Sequence, residues 1–224
     1  MLIHPWDAPE EDRIWRAWLA EHDFGQLAVN GLPGEPPFVQ PLHFAYDADA
    51  GAHGEVLTHL ARPNPIWAAV EACPTVLLSV VDDYVFVPGP WQAPDDTPPE
   101  HGTPTSFYTA VQLTCRARIV DEAREKAALL NRQVAHFQQD GVTTPATPGE
   151  PPFGRMLPGI RVLRLEVSEV RAKFKYGSHK PESAQARTAE GLRARATPRD
   201  QAALAHHTRH RTGTGHGHPG PAGG

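Results

Sequence analysis

From Thr109 to Asp121 the chain alternates cleanly: Val111, Leu113, Cys115, Ala117 and Ile119 fall on one side, and Gln112, Thr114, Arg116, Arg118 and Val120 on the other. A period of two is the mark of a strand with one wet face. Shorter strand patterns occupy Gly25–Val29, Phe38–Tyr46 and Glu55–Leu60. Thr75–Val81 is an unbroken β-branched and leucine run, as in a strand buried on both faces. Asp82-Asp83 then predicts a tight turn, with Tyr84–Val87 as the returning arm of a hairpin. Arg161–Val167 and Glu169–Tyr176 read as two more strands, the second with Val170, Ala172, Phe174 and Tyr176 opposite Arg171, Lys173 and Lys175.

Helical spacing is rarer. Asp7-Ala8-Pro9-Glu10 has the form of a capping box, and Ile14, Trp15, Trp18 and Leu19 follow on one face. Ile66, Trp67 and Val70 give a short helix an apolar side. Ala127, Leu130, Val134 and Phe137 form a stripe on a longer one, with Asp121 placed to cap it. Six prolines between Pro88 and Pro104 exclude regular structure there, and Thr143–Pro158 is a second proline-rich loop. Seven or eight strands with three substantial helices, no βαβ rhythm, no G-x-G-x-x-G and no P-loop predict a mainly β (α+β) chain. The expected architecture is an antiparallel sheet closed into a split barrel with peripheral helices.

With 224 residues, 40% of them hydrophobic, one core-forming domain is expected over residues 1–182. After Pro181 Ala, Arg, Gly, Thr and His dominate, so 183–224 reads as a low-complexity, disordered tail, with 184–196 at most a marginal helix. Its histidines, His206, His207, His210, His216 and His218, are of a kind that holds metal ions only loosely. Cys73 and Cys115 have neither zinc spacing nor a disulfide framework. No apolar run approaches the ~20 residues of a membrane span, and Met1–Asp7 lacks a basic-then-apolar leader, which predicts a cytoplasmic protein. The net charge is −5, yet residues 182–224 hold six Arg against three acids. The body is therefore acidic, a poor electrostatic footprint for direct DNA binding.

The chemistry concentrates where a strand passes through a turn into a helix, at Leu57-Thr58-His59-Leu60-Ala61-Arg62-Pro63-Asn64-Pro65-Ile66-Trp67. Asn64 before Pro65 is a helix start, with an Asx cap followed by a proline whose missing N–H costs nothing. The free amides of that start, with His59 and Arg62 beside them, have the composition of a phosphate site. The same residues equally suit a plain structural role, Arg62 paired with a surface carboxylate and His59 packed on its strand.

Several blocks stand in the order of a known family. Thr58 through Trp67 is similar to G-H-L-A-R-A-N-P-Q-W, Tyr84 through Trp91 to Y-I-S-P-S-W, Pro104 through Tyr108 to P-T-W-N-Y, and Lys173-Phe174-Lys175 to K-W-K. Across residues 1–182 the chain resembles the PaiB-type FMN-binding proteins, known as negative transcriptional regulators, of the FMN-binding split-barrel group. Ser106 and Phe107 replace that family's Trp and Asn, and Gly177-Ser178-His179-Lys180 replaces S-Q-N-R. The resemblance implies a six-stranded split barrel, a homodimer, and FMN as cofactor near the subunit interface. It assigns Arg62, His59 and the amides beyond Asn64 to the phosphate, Lys173 and Lys175 to added charge, and Thr58, Thr105 and Tyr108 to polar contacts. Tyr84 and Trp91 would wall the ring. The implied roles are a flavin-dependent oxidoreductase or a flavin-linked regulator. The alternatives are a haem- or metal-handling split barrel, with His43, His59, His101 and His179 as ligands, and a regulator acting through protein or DNA contacts without flavin. No helix-turn-helix can be placed, and no residue stands out as a general acid or base.

Overall fold

The computed structural model describes residues 1–213, and the side chains of residues 1–208. Seven strands form one antiparallel sheet: β1 (Phe24–Val29), β2 (Phe38–His43), β3 (Ala45–Asp47), β4 (Glu55–Ala61), β5 (Thr75–Val87), β6 (Thr105–Val120) and β7 (Ile160–Lys175), in the order β2-β1-β5-β6-β7-β4-β3. Five α-helices accompany it: α1 (Asp12–Ala20), α2 (Ile66–Ala72), α3 (Ala123–Phe137), α4 (Glu182–Arg195) and α5 (Pro198–Gly213). The chain divides into two compact units, one of residues 11–80 and 111–171, the other of residues 1–10, 81–110 and 172 onward.

The first of these units carries the closed part of the sheet. β2 and β3 are its two edges, yet only Phe44 separates them in sequence, and Phe44 is fully buried. One residue bridges the two edges only if the sheet curls back on itself, which leaves a split where β2 and β3 part. Leu27, Val56, Leu78, Leu113, Leu163 and Leu165 fill its interior, while Leu57 on the opposite face of β4 packs with Val120, Val162 and Leu129 of α3. β4 pairs with β7 so that Thr58 lies opposite Leu163 and His59 opposite Val162.

Several boundaries differ from the expectation. Thr75–Val87 is one strand, not a hairpin: Asp83 takes a left-handed φ of 57° inside it and the chain continues in the same direction. Ile160–Lys175 is likewise one strand, and Phe38–Tyr46 breaks at Phe44. Asp7 does not cap α1, whose N-cap is Glu11; it lies in a 3-10 turn and is 2% exposed. Asp121 does not cap α3 either. Glu122 does, accepting from the amides of Arg124 and Glu125 at 3.0 and 2.7 Å.

The largest departure lies after Pro181, in the second unit. Of the stretch expected to lack order, the described residues fold as α4 and α5, burying Ala184, Thr188, Ala189, Leu192 and Ala203, and residues 214–224 lie outside the described residues. Small side chains suffice because the partners come close: a Cβ on Gly191 would stand 2.3 Å from the Trp91 ring. Thr197 and Asp200 form a reciprocal capping box at the start of α5, Thr197 N–H donating to Asp200 Oδ2 at 3.0 Å and Asp200 N–H to Thr197 Oγ1 at 3.3 Å. His206 Nε2 lies 2.7 Å from Asp83 Oδ2, and His207 sits between the carbonyls of Tyr176 and Gln185. These two histidines serve docking; the His210 side chain, His216 and His218 lie outside the described residues. No helix among the described residues is long and apolar enough to cross a membrane.

The Asp200 carboxylate is 1% exposed, and the Arg195 guanidinium, then Thr197, pull its pKa down to about 2. A folded-state value below the unfolded one stabilises the fold above about pH 4, and the gain is lost as pH falls toward about 2. Asp200→Asn is therefore expected to cost about 2 kcal/mol at pH 6. In urea titrations the gap from the parent protein should close between about pH 4 and pH 2.

Candidate functional site

The corner after β4 is filled by the protein itself. Arg62 donates from Nε to the Pro158 carbonyl at 2.7 Å and from its terminal nitrogen to Asp121 Oδ1 at 2.8 Å. Arg161 grips the same carboxylate and also reaches Glu71 at 2.9 Å. These two guanidiniums, Arg161 first, hold the Asp121 carboxyl below its ordinary range. Asn64 acts as the helix start predicts, its Oδ1 accepting from the Ile66 amide at 3.0 Å while Nδ2 donates to Gln40. α2 runs only seven residues, so its dipole is weak. Thr58 is fully buried and its hydroxyl donates to the His43 carbonyl. His59 Nδ1 meets Gln133 Oε1 at 2.7 Å. Of the two readings of Arg62, the geometry shows the pairing with a carboxylate of its own chain.

A second cluster does form a site, within the other unit. The last turn of β7 projects Lys173 and Lys175 to one side, as alternation requires. The start of β6 brings Thr105 and Phe107, the N-terminal segment brings His4, Trp6 and Asp7, and the residues after β7 bring His179 and Lys180. They enclose a cavity of about 320 Å³, toward the small end of the range for ligand pockets.

Two lysines of opposite condition share it. Lys173 is 7% exposed, lies 3.5 Å from Asp7 Oδ2 and donates to the Leu2 carbonyl at 2.9 Å. Lys175 is half-buried and donates to Thr105 Oγ1 at 2.9 Å. Burial, and next the neighbouring Lys173 charge, lower its pKa, while Asp7 opposes them. Both ammonium groups stand 5.8 Å from the Tyr108 ring. His4 stacks on Trp6 at 4.6 Å, and His179 lies 4.9 Å from the same ring. Burial, then Lys180, lowers the His179 pKa. Asp7 Oδ1 is buried with no hydrogen-bond partner, a condition that costs roughly 1–3 kcal/mol unless something donates to it.

The structure thus brings together Thr105, Lys173 and Lys175, with Tyr108 beside them, and places Thr58, His59, Arg62 and Asn64 in the other unit. Trp91 is engaged elsewhere, against Gly191 and under the Arg195 guanidinium at 5.1 Å. Tyr84 is 44% exposed on β5 and does not line the cavity. The sequence reading missed His4, Trp6, Asp7 and Lys180 as site residues; the one available signal was His179-Lys180 falling in the block that follows Lys175.

The donor set fits FMN. Lys175, Lys180 and the imidazoles suit a phosphate dianion or the flavin carbonyls, and Asp7 Oδ1 is an acceptor awaiting an N–H or O–H. Among the described residues, no three His, Cys, Asp or Glu side chains are grouped to hold a metal ion.

Among solved structures, the fold is similar to the flavocytochrome Anf3 from Azotobacter vinelandii, with a TM-score of 0.54 and 19% identity over 76% of this chain and 70% of that one. It is also similar to the FAD and heme binding protein from Mycobacterium smegmatis, with a TM-score of 0.55 and 16% identity over 82% and 79%. At such identities the likeness is one of fold. No curated protein matches the chain. The model of the family described as "Putative FMN-binding domain" matches residues 1–169, ending just before the lysine pair of β7. The curled antiparallel sheet and that match together place the chain in this FMN-binding domain family, with FMN as its cofactor.

Proposed function

We propose that the chain is a flavin-dependent oxidoreductase that seats the anionic end of FMN in the lysine cavity. The observation that carries this is the pairing, in one cavity, of two unlike groups: Lys175, whose charge burial disfavours, and Asp7 Oδ1, which has no donor. A bound dianion offsets the repulsion between Lys175 and Lys173, and a hydroxyl or ring N–H of the cofactor satisfies Asp7. When bound, FMN supplies hydride or electron transfer through its ring system. The chain's part is to hold the cofactor: Lys175 and Thr105 orient the anion, Lys173 holds Asp7 in place, and Tyr108 backs the ammonium pair. The acidic body favours this over a role on DNA. The homodimer implied by the family resemblance belongs to the same proposal, and sedimentation equilibrium of the flavin-loaded protein tests it.

Arg62 separates this site from the corner after β4. Lys175→Met is expected to weaken FMN binding by about tenfold or more, the value of one charge-assisted hydrogen bond. Arg62→Ala, which removes a guanidinium already neutralised by Asp121, should leave affinity within about threefold. Flavin fluorescence quenching measures both. The opposite ranking would return the phosphate to the Arg62 corner.

A further inference from the structure

A second hollow lies wholly within the unit of residues 11–80 and 111–171, and it has a different chemistry. It encloses about 260 Å³ between α3, the 138–159 segment and the start of β7. Leu130 and Val134 face it from α3, and Phe153, Met156 and Leu157 from the segment opposite. This is where the apolar stripe of α3 goes. The helix buries Ala127, Leu129 and Gln133, and leaves Leu130 and Val134 only partly covered. Met156 and Phe153 are 67% and 42% exposed, so the wall is apolar to its rim. The segment is fixed: Asn131 Nδ2 donates to the Ala146 carbonyl at 3.0 Å, and the Ala146 amide donates back to Oδ1 at 2.7 Å.

One polar group in that lining has a definite hydrogen-bonding sense. His59 lines the hollow, and its Nδ1 meets Gln133 Oε1. The Gln133 amide cannot be turned round, because its other end faces the His43 carbonyl, which only accepts. Gln133 therefore accepts from His59, so in the neutral imidazole the proton sits on Nδ1 and Nε2 is the acceptor. No described residue donates to that nitrogen.

We propose that this hollow binds a small aromatic alcohol of the phenol class, its ring between α3 and the 153–157 turn and its hydroxyl donating to His59 Nε2. A dry cavity of about 150 Å³ already takes benzene, so the space suits one substituted ring. The lining holds no Lys or Arg, which disfavours an aromatic carboxylate. The site shares no lining residue with the lysine cavity and does not rest on the flavin assignment.

The test is calorimetric titration of the full-length, FMN-loaded protein with 4-methylphenol and with toluene, which has the same ring and methyl group but no hydroxyl. The parent protein should bind 4-methylphenol about tenfold tighter, the value of one hydrogen bond to a buried acceptor. His59→Phe should abolish that preference while toluene still binds. Val134→Trp should block both ligands, and Thr143→Trp, from the far wall, repeats that arm should the helix variant not fold. Flavin absorbance is expected to stay unchanged throughout. Equal affinity for the two ligands, binding of neither, or undiminished binding in both tryptophan variants would overturn the proposal.

Discussion

Lys173→Met is expected to cost about 3–5 kcal/mol of unfolding free energy, read from the urea midpoint at neutral pH. The reason lies in what stays behind. Asp7 is 2% exposed, and Lys173 is the cation 3.5 Å from its Oδ2. Its other oxygen already lacks a donor. Removing the ammonium takes the nearest cation from a buried carboxylate, on which Lys175 and His179 act only from farther off, and the amine's bond to the Leu2 carbonyl goes too. A surface pair would behave otherwise, since exposed ion pairs contribute about 0–1 kcal/mol. The double variant Lys173→Met/Asp7→Asn separates the explanations: with no charge left to strand, it should recover to within about 1–2 kcal/mol of the parent. A single variant as mild as a surface pair would show that the burial of this pair is not what holds the N-terminal segment down. FMN affinity should stay weakened in the double variant, because the acceptor on Asp7 and its positioning partner have both changed.

That pair also shows where the sequence stopped being readable. Lys173 and Lys175 stood out because strand alternation is local: every second residue of β7 shares a face whatever surrounds it. Asp7 did not, because its partner lies 166 positions along the chain, and the nearby Ala8-Pro9-Glu10 gave it a plausible cap role. The same ambiguity arose at Asp121 and Glu122, two neighbouring acids before one helix. A capping pattern says that an acid belongs there. Which of the two caps the helix was decided by Arg62 and Arg161, which claim Asp121 from across the fold.

Asp82-Asp83 has the composition of a hairpin turn, yet the chain passes straight through it. Asp83 absorbs the kink at φ 57° and sends its carboxylate to His206 on α5. Its partner lay in a stretch expected to lack structure, so this role was invisible. That stretch misled through its composition. Few large apolar residues usually mean too little burial for order, but Ala184, Ala189 and Gly191 allow an approach so close that small side chains bury well. The local signal was present all the same: Thr197-Pro198-Arg199-Asp200 is a capping box with proline at the first helical position. The wet and dry faces of β6 from Val111 to Arg118, by contrast, followed from periodicity, whereas Val120, expected on the wet face, is buried with Leu57 and Leu129 of α3.

Gly102→Ala should be nearly as damaging as the loss of Lys173, at about 2–4 kcal/mol, and for a reason unrelated to charge. Gly102 has φ −71° and ψ 135°, values any residue adopts, so backbone freedom is not what the position needs. It needs space. A Cβ there would stand 1.8 Å from the Gly89 carbonyl oxygen and 2.8 Å from the Ala93 amide nitrogen, both backbone atoms that no rotamer change can move. The two glycines let the 3-10 turns at 89–92 and 99–101 press together, and those turns deliver Gln92, Thr103 and Pro104 to the wall of the lysine cavity. Against this, alanine in place of glycine gains about 0.4–1 kcal/mol from the unfolded chain. Gly159→Ala measures that gain alone, because its Cβ meets nothing within 4 Å. The expected pattern is thus a neutral to slightly stabilised Gly159 variant beside a strongly destabilised Gly102 variant. The Gly102 variant should also bind FMN more weakly under conditions where it remains folded, since the cavity wall must shift to admit the methyl group. If Gly102→Ala matched the Gly159 control in both stability and flavin affinity, the close packing of these two turns would not be what shapes the site.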